Sequence, residues 1–323
     1  MPNHYALILQ CTSSGVAERL VGVYAGLLAQ ATFPFRFQIL INPEREEVRS
    51  IASKLQCLFF LEVESERDAT TLARIEAIDR EYRSAGHQLV LLAQPSADYL
   101  DLAIRFQVGN ILFVDSIVST TVGALTHRLL GHDFFGFAPF FPNSWHSEMK
   151  VVLSGKVSRC GLVERHFGEY LSRFEEPHRG RFLGQLNELL TNALAYGILG
   201  ITPEQRDGNQ FQVPLLIDIP EGMDVKISVV QDDEKYGISV MDPGGALTLL
   251  RVLQKIRRHT TLPGRDFPLG IEDLTGRGLF IVSRQTRLVL NVLRGQRTEA
   301  ILLGYFDEER NRYKSMIINE KMP

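Results

Sequence analysis

The sequence predicts an α/β protein in two domains, and three observations predict it. Its 323 residues are enough for two domains of ordinary size. Over the first 130 residues, apolar runs alternate with longer amphipathic stretches, and beyond residue 150 strand-like and helix-like segments continue around two glycine clusters. A composition of 45% hydrophobic and 23% charged residues is that of a globular protein able to bury two cores.

In the first 130 residues the runs are YALILQ, FRFQILI, CLFFLEV, HQLVLLA and NILFV, each followed by an amphipathic stretch. Continuous apolar runs mark strands buried on both faces, which calls for a parallel sheet with helices on either side. The reading is a doubly wound, flavodoxin-like domain over residues 1–130. Its length, its five-unit order and the spacing of NILFVDS before a last helix TVGALTHRLL resemble the receiver domain of two-component signalling. That resemblance implies paired acids after the first strand for Mg²⁺, a phosphorylatable Asp at the end of the third, and a Lys after the fifth. Here Gln10 and Ser13 stand where acids belong, Glu62 lies near the acceptor position, and Asp115 takes the place of the Lys. Without acids to hold a metal, the charge of a transferring phosphoryl group is not neutralised. Residues 1–130 are therefore expected to form a pseudo-receiver, a protein-interaction module, with a flavodoxin-like ligand domain as the alternative.

Residues 131–150 break the pattern with two prolines, two glycines and five phenylalanines. A flexible linker would be polar, so this junction is expected to pack between domains or onto a partner. His127, His132 and His146 lie nearby without metal-ligand spacing. A net charge of -3, from 35 basic and 38 acidic side chains, argues against direct nucleic-acid binding. No run approaches the roughly 18 apolar residues of a membrane helix, and the start lacks a signal peptide. Cys11, Cys57 and Cys160 are isolated and form neither a disulfide framework nor a CxxC site, which fits a cytoplasmic setting.

The second domain, residues 151–323, carries the chemistry. In QLNELLTNALAYG (185–197), Leu186, Leu189, Leu190, Ala193 and Leu194 recur at helical spacing as a buried stripe, while Gln185, Glu188 and Asn192 fall on another face. Glu188 and Asn192 are i and i+4, so their side chains can converge on one ligand. Two strands, VKISVVQ and KYGISVM, lead into Asp242-Pro243-Gly244-Gly245, an acid followed by glycines that let the backbone approach a ligand closely. A polar stretch over residues 257–275 reads as a mobile loop. TGRGLFIVSRQT then opens a helix with glycines, the arrangement that points free N–H groups at phosphate. Two strands around a glycine turn, LVLNVLRGQRTEAILLGYF, close the unit. LSGKVS at 153–158 mimics part of a P-loop, but Lys150 and Val157 stand where Gly and Ser or Thr are needed. It reads as a strand end and turn.

This order resembles the GHKL ATPase superfamily over about residues 151–305: the α/β sandwich of the histidine-kinase-like ATP-binding domain, and its anti-sigma-factor serine kinase branch. NELLTNALAYG looks like the N box, MDPGG the first glycine box and TGRGLFIV the second. The resemblance implies ATP and Mg²⁺ as cofactors. It makes Asn192 the Mg²⁺ ligand, Glu188 the general base or the group orienting the attacking oxygen, and Asp242 the acceptor of the adenine amino group. Gly244 and Gly245 would let the base lie close, Gly276, Arg277 and Gly278 would line the triphosphate, residues 257–275 would be the lid, and Thr298 an adenine-side contact. Ala246 departs from the usual last glycine of the first box, and Tyr196-Gly197 from the His-Gly that ends many N boxes. His166 lies only about twenty residues before the N box, which leaves no room for the dimerisation hairpin of sensor kinases. The implied activity is therefore transfer of the γ-phosphoryl group to Ser or Thr of a regulatory partner, anti-anti-sigma or sigma-like. A non-catalytic, nucleotide-dependent switch is the alternative, and the resemblance allows a homodimer.

Overall fold

The structure, a computed structural model, describes all residues except 1–2, 65–68, 95–98, 132–133, 142–144, 146, 177, 203–204, 206–212, 262–266, 271–276, 308–314 and 323. The chain is α/β and divides into two compact units: Met1–Phe134 with Ser315–Ile317, and Phe135–Lys314 with Ile318–Pro323.

The first unit alternates strand and helix: β1 (Asn3–Gln10), α1 (Ser14–Leu28), β2 (Phe35–Ile41), α2 (Arg45–Ala52), β3 (Gln56–Val63), α3 (Ala69–Glu81), β4 (Gln88–Ala93), α4 (Tyr99–Arg105), β5 (Asn110–Phe113) and α5 (Ser119–Leu130). The strands order β2-β1-β3-β4-β5, all parallel. Met316 and Ile317 pair antiparallel with Ile111 and Asn110 of β5. All five expected strands are present, and β3 is buried from Cys57 to Val63, as a strand covered on both faces must be. Helices α1 and α5 meet where Tyr24 Oη lies 2.8 Å from Thr126 Oγ1, inside the core. His127, half-buried, packs its ring against Phe33 and Phe35.

The second unit contains β6 (Ser147–Leu153), β7 (Gly155–Ser158), α6 (Leu162–Leu171), α7 (His178–Asn192) running into a π-helical turn (Ala193–Ile198), β8 (Leu216–Ile219), β9 (Val225–Gln231), β10 (Lys235–Asp242), α8 (Leu249–His259), α9 (Gly278–Gln285), β11 (Arg287–Leu293), β12 (Arg297–Tyr305) and the last residues of β13 (Met316–Lys321). Its sheet runs β11-β12-β10-β9-β6 with antiparallel neighbours, and β7 and β8 form a separate ribbon. LSGKVS, expected as a strand end and turn, ends β6 at Leu153 and continues after Ser154 as the strand β7, with Gly155 at φ 61.

Two features differ from the sequence reading, and one adds to it. The stretch taken as a loop from residue 257 begins inside a helix, because Thr248 caps α8 with its hydroxyl on Arg251 N and Arg257, Arg258 and His259 complement the dipole of its last turn. Helix α8 and the strands β8 and β13 were not anticipated. The phenylalanine-rich junction, expected between domains or on a partner, packs on the sheet of the second unit. A Cβ at Gly237 would stand 2.7 Å from the Phe137 ring and 3.1 Å from Phe141. Gly136 N donates to both oxygens of Glu299, 3.1 and 2.9 Å, and that buried carboxyl group also accepts from Ser239 Oγ at 2.8 Å and Asn291 Nδ2 at 3.0 Å. The opposite face of β10 carries Tyr236, which packs on Phe174 and Phe182 and donates to Gln185 Oε1 at 3.1 Å. The sheet thus has α7 on one face and residues 135–141 on the other.

Candidate functional site

The site grows from the end of α7. Periodicity predicts an uninterrupted helix through Gly197, yet after Asn192 the backbone widens into a π turn, with Leu199 N bonding Leu194 O five residues back. That turn brings the Gly197 backbone against Asp242 at the end of β10, and a Cβ at Gly197 would overlap the Asp242 carboxyl group. Gly244 completes the approach: a Cβ there would lie 2.6 Å from Gly197 Cα and 3.1 Å from Asp242 Oδ1. Both positions require glycine for space. Gly197 was not among the site residues expected from sequence, although a glycine closing a helical pattern is itself a signal.

Asp242 is 7% exposed. Burial pushes its carboxyl group up to about 7, against the pull of the Gly244 and Gly245 N–H groups. The Gly244 N–H lies 2.9 Å from Oδ1. Directly across the antiparallel pair stands Thr298, so the two side chains share the α7 face of the sheet. The Thr298 hydroxyl is buried and meets no hydrogen-bond partner among the described residues. A buried acid clasped by the backbone just beyond it, with an unsatisfied hydroxyl opposite and glycine backbone packed close, is a group that can accept a hydrogen bond from the flat edge of a ligand.

The second cluster lies along α7. Asn192 Nδ2 donates to Glu188 Oε1 at 2.9 Å. Asn192 is buried and Glu188 half-buried, so this face of the helix is not simply solvated. The Glu188 carboxyl group rests on the bare backbone of Gly278, the first residue of α9, where a Cβ would overlap Glu188 Cδ and both oxygens. Glycine at 278 is the only residue that leaves Glu188 this position. Gln185, on the same stretch, turns into the core towards Tyr236.

Of the remaining expected residues, Gly245 serves the fold. Its φ is 56, its carbonyl accepts from Gly295 N at 3.1 Å, and a Cβ would strike the turn between β11 and β12. Arg277 immediately precedes α9. Gly276 lies outside the described residues, as do His132, His146 and parts of the 257–275 loop (262–266 and 271–275). Tyr196, in the π turn, accepts from Lys255 Nζ at 3.1 Å, which ties α8 to this end of the site. His166 is exposed on α6. No group of three or more His, Cys, Asp or Glu converges among the described residues. Mg²⁺ carried by phosphates with one side-chain ligand would need none, since this ion keeps several waters.

In the first unit, the receiver-like positions carry different chemistry. Glu62 Oε2 accepts from Thr12 N, Thr12 Oγ1 and Ser13 N at 3.0, 3.1 and 3.0 Å, so the carboxyl group sits at the start of α1. Thr12 Oγ1 also lies 2.6 Å from Glu64 Oε1 and serves one carboxylate at a time. Burial, with the neighbouring Glu62 charge, raises the Cys11 thiol to about 12. Asp115 is exposed, and Arg19 of α1 spans its segment through the carbonyls of Ile117, Val114 and Asp115. No helix among the described residues is long and apolar enough to cross a membrane. Neither a family model nor a curated protein matches this chain.

Proposed function

We propose that the second unit binds Mg·ATP and transfers the γ-phosphoryl group to a Ser or Thr hydroxyl of a regulatory protein partner, in the manner of an anti-sigma-factor kinase. The observation that carries the reading is the cluster of Gly197, Asp242 and Gly244 with the unpartnered Thr298 hydroxyl opposite. Its donor-seeking carboxyl group and glycine walls suit the amino edge of adenine. Asn192 would hold Mg²⁺, which when bound neutralises charge on the phosphates. Glu188 would take the proton of the attacking hydroxyl as its oxygen bonds to phosphorus and the bond to the ADP oxygen breaks. Arg277, Gly276 and Gly278 would border the phosphates near the start of α9.

The first unit completes the proposal as a flavodoxin-like pseudo-receiver that binds a protein rather than a phosphodonor. Its support is Glu62, whose carboxyl oxygen already accepts two backbone N–H groups and shares the Thr12 hydroxyl with Glu64. Three free cysteines suit a reducing, cytoplasmic compartment.

Incubating the protein with labelled ATP and candidate anti-anti-sigma partners tests the reading, and label is expected on Ser or Thr of the partner. Bound ATP without transfer to any partner would remove the kinase activity and leave a nucleotide-dependent switch. That second reading is favoured by one observation: the proposed base is engaged by the proposed metal ligand.

A further inference from the structure

We infer that the Glu188 carboxylate is an internal plug of the phosphate end of the site, occupying the place against Gly278 that a nucleotide's anionic tail must take. This rests on the nucleotide reading above and adds a regulation to it. Two independent contacts define the plugged arrangement. Asn192 Nδ2 holds Oε1 at 2.9 Å from within the same helix, one turn on. The carboxyl group also lies over the backbone of Gly278, so closely that the smallest side chain there would displace it.

The first residue of a helix is where the backbone dipole favours negative charge. In the ligand-free chain Glu188 supplies that charge from the neighbouring helix. A polyphosphate brings more negative charge to the same backbone and cannot share the space, because like charges within a few ångströms repel and the contact with Gly278 leaves no gap. Glu188 has three rotatable bonds, so its side chain is the part that moves. As it swings out, it releases the Asn192 amide. Phosphate binding, metal-ligand release and freeing of the base are thus one motion, and the enzyme without nucleotide keeps its base out of use.

The test is equilibrium binding of ATP, inorganic tripolyphosphate and adenosine, each with Mg²⁺, to the full-length protein and to its Glu188→Ala and Glu188→Gln variants. Glu188→Ala is expected to bind ATP and tripolyphosphate at least about tenfold tighter than the parent, with adenosine affinity unchanged. Glu188→Gln, which keeps the size and removes the charge, should fall between them. Unchanged or weaker ATP binding by Glu188→Ala, in a protein that otherwise binds ATP and adenosine, overturns the plug and leaves the nucleotide site standing. Failure of all three proteins to bind any adenine compound overturns the nucleotide reading and the plug together.

Discussion

Glu62 and Asp242 are both buried acids at the C-terminal end of a strand, one in each unit, and their surroundings have opposite character. Glu62 sits with one carboxyl oxygen filled by two backbone N–H groups and a threonine hydroxyl. Asp242 is clasped only by the backbone just beyond it, and burial raises its carboxyl group to about 7. A buried acid whose lone pairs are filled from within the chain is a latch, since it satisfies helix donors that would otherwise be orphaned. One buried enough to hold its proton near neutral pH, beside close-packed glycines and an unpartnered hydroxyl, costs stability that a ligand can offset. The same residue class thus holds structure in one unit and, in the other, is the acid on which the proposed site is built. Glu299 follows the first pattern, with Gly136, Ser239 and Asn291 all donating to it.

The contrast breaks most visibly at Asp242. Its folded value of about 7 lies above the roughly 3.9 of an unfolded Asp, so its contribution to stability is full at low pH and is lost as pH rises towards and through 7. Asp242→Asn keeps an oxygen for Gly244 N and cannot ionise. The variant should gain on the parent by on the order of 3 kcal/mol between pH 5 and pH 8, measured by denaturant unfolding across pH. A constant difference over that range would mean that Asp242 is as well satisfied as Glu62. The next effect has the opposite sign: Glu62→Ala leaves the N–H groups of Thr12 and Ser13 without their acceptor, and should destabilise the first unit by about 2 kcal/mol in urea unfolding. No loss there would reduce the latch to a surface contact.

The smallest expected effect belongs to His87, which accepts the Cys57 N–H at Nδ1, 2.8 Å, inside the first unit. Burial lowers its value below the usual 6.5, so the folded state prefers the neutral ring. The stability it lends is present above about pH 6.5 and is lost as pH falls through the folded value. Thermal unfolding of the first unit should therefore weaken on acidification below pH 6.5, and His87→Gln should flatten that slope. An unchanged slope would show that other groups control acid sensitivity.

The difference between the two acids was only partly legible in the sequence. The five parallel strands of the first unit were, because runs such as CLFFLEV leave no polar face for water. Asp242, Gly244 and Thr298 were brought together only by what the resemblance implies, and antiparallel pairing of β10 with β12 sets Asp242 opposite Thr298. What separates the surroundings of the two acids was not legible, since it depends on partners remote in the chain. Thr12 and Ser13 lie about fifty residues before Glu62. Gly197 reaches Asp242 only through a π turn, which a period of 3.6 does not signal. Gly245 looked like its neighbour Gly244, yet its positive φ serves the β11–β12 turn. Strand β13 escaped because MIINEK loses its apolar character half-way, and its first residues pair with a strand some two hundred positions earlier.

Calorimetric titration of ATP with Mg²⁺ into the full-length protein at pH 8, with Asp242→Asn in parallel, tests the central claim most directly. Saturable binding at one site per chain, weakened at least about a hundredfold by Asp242→Asn, is the result predicted. Absence of binding to the parent protein, or equal affinity in the two, would contradict a nucleotide site built on Asp242.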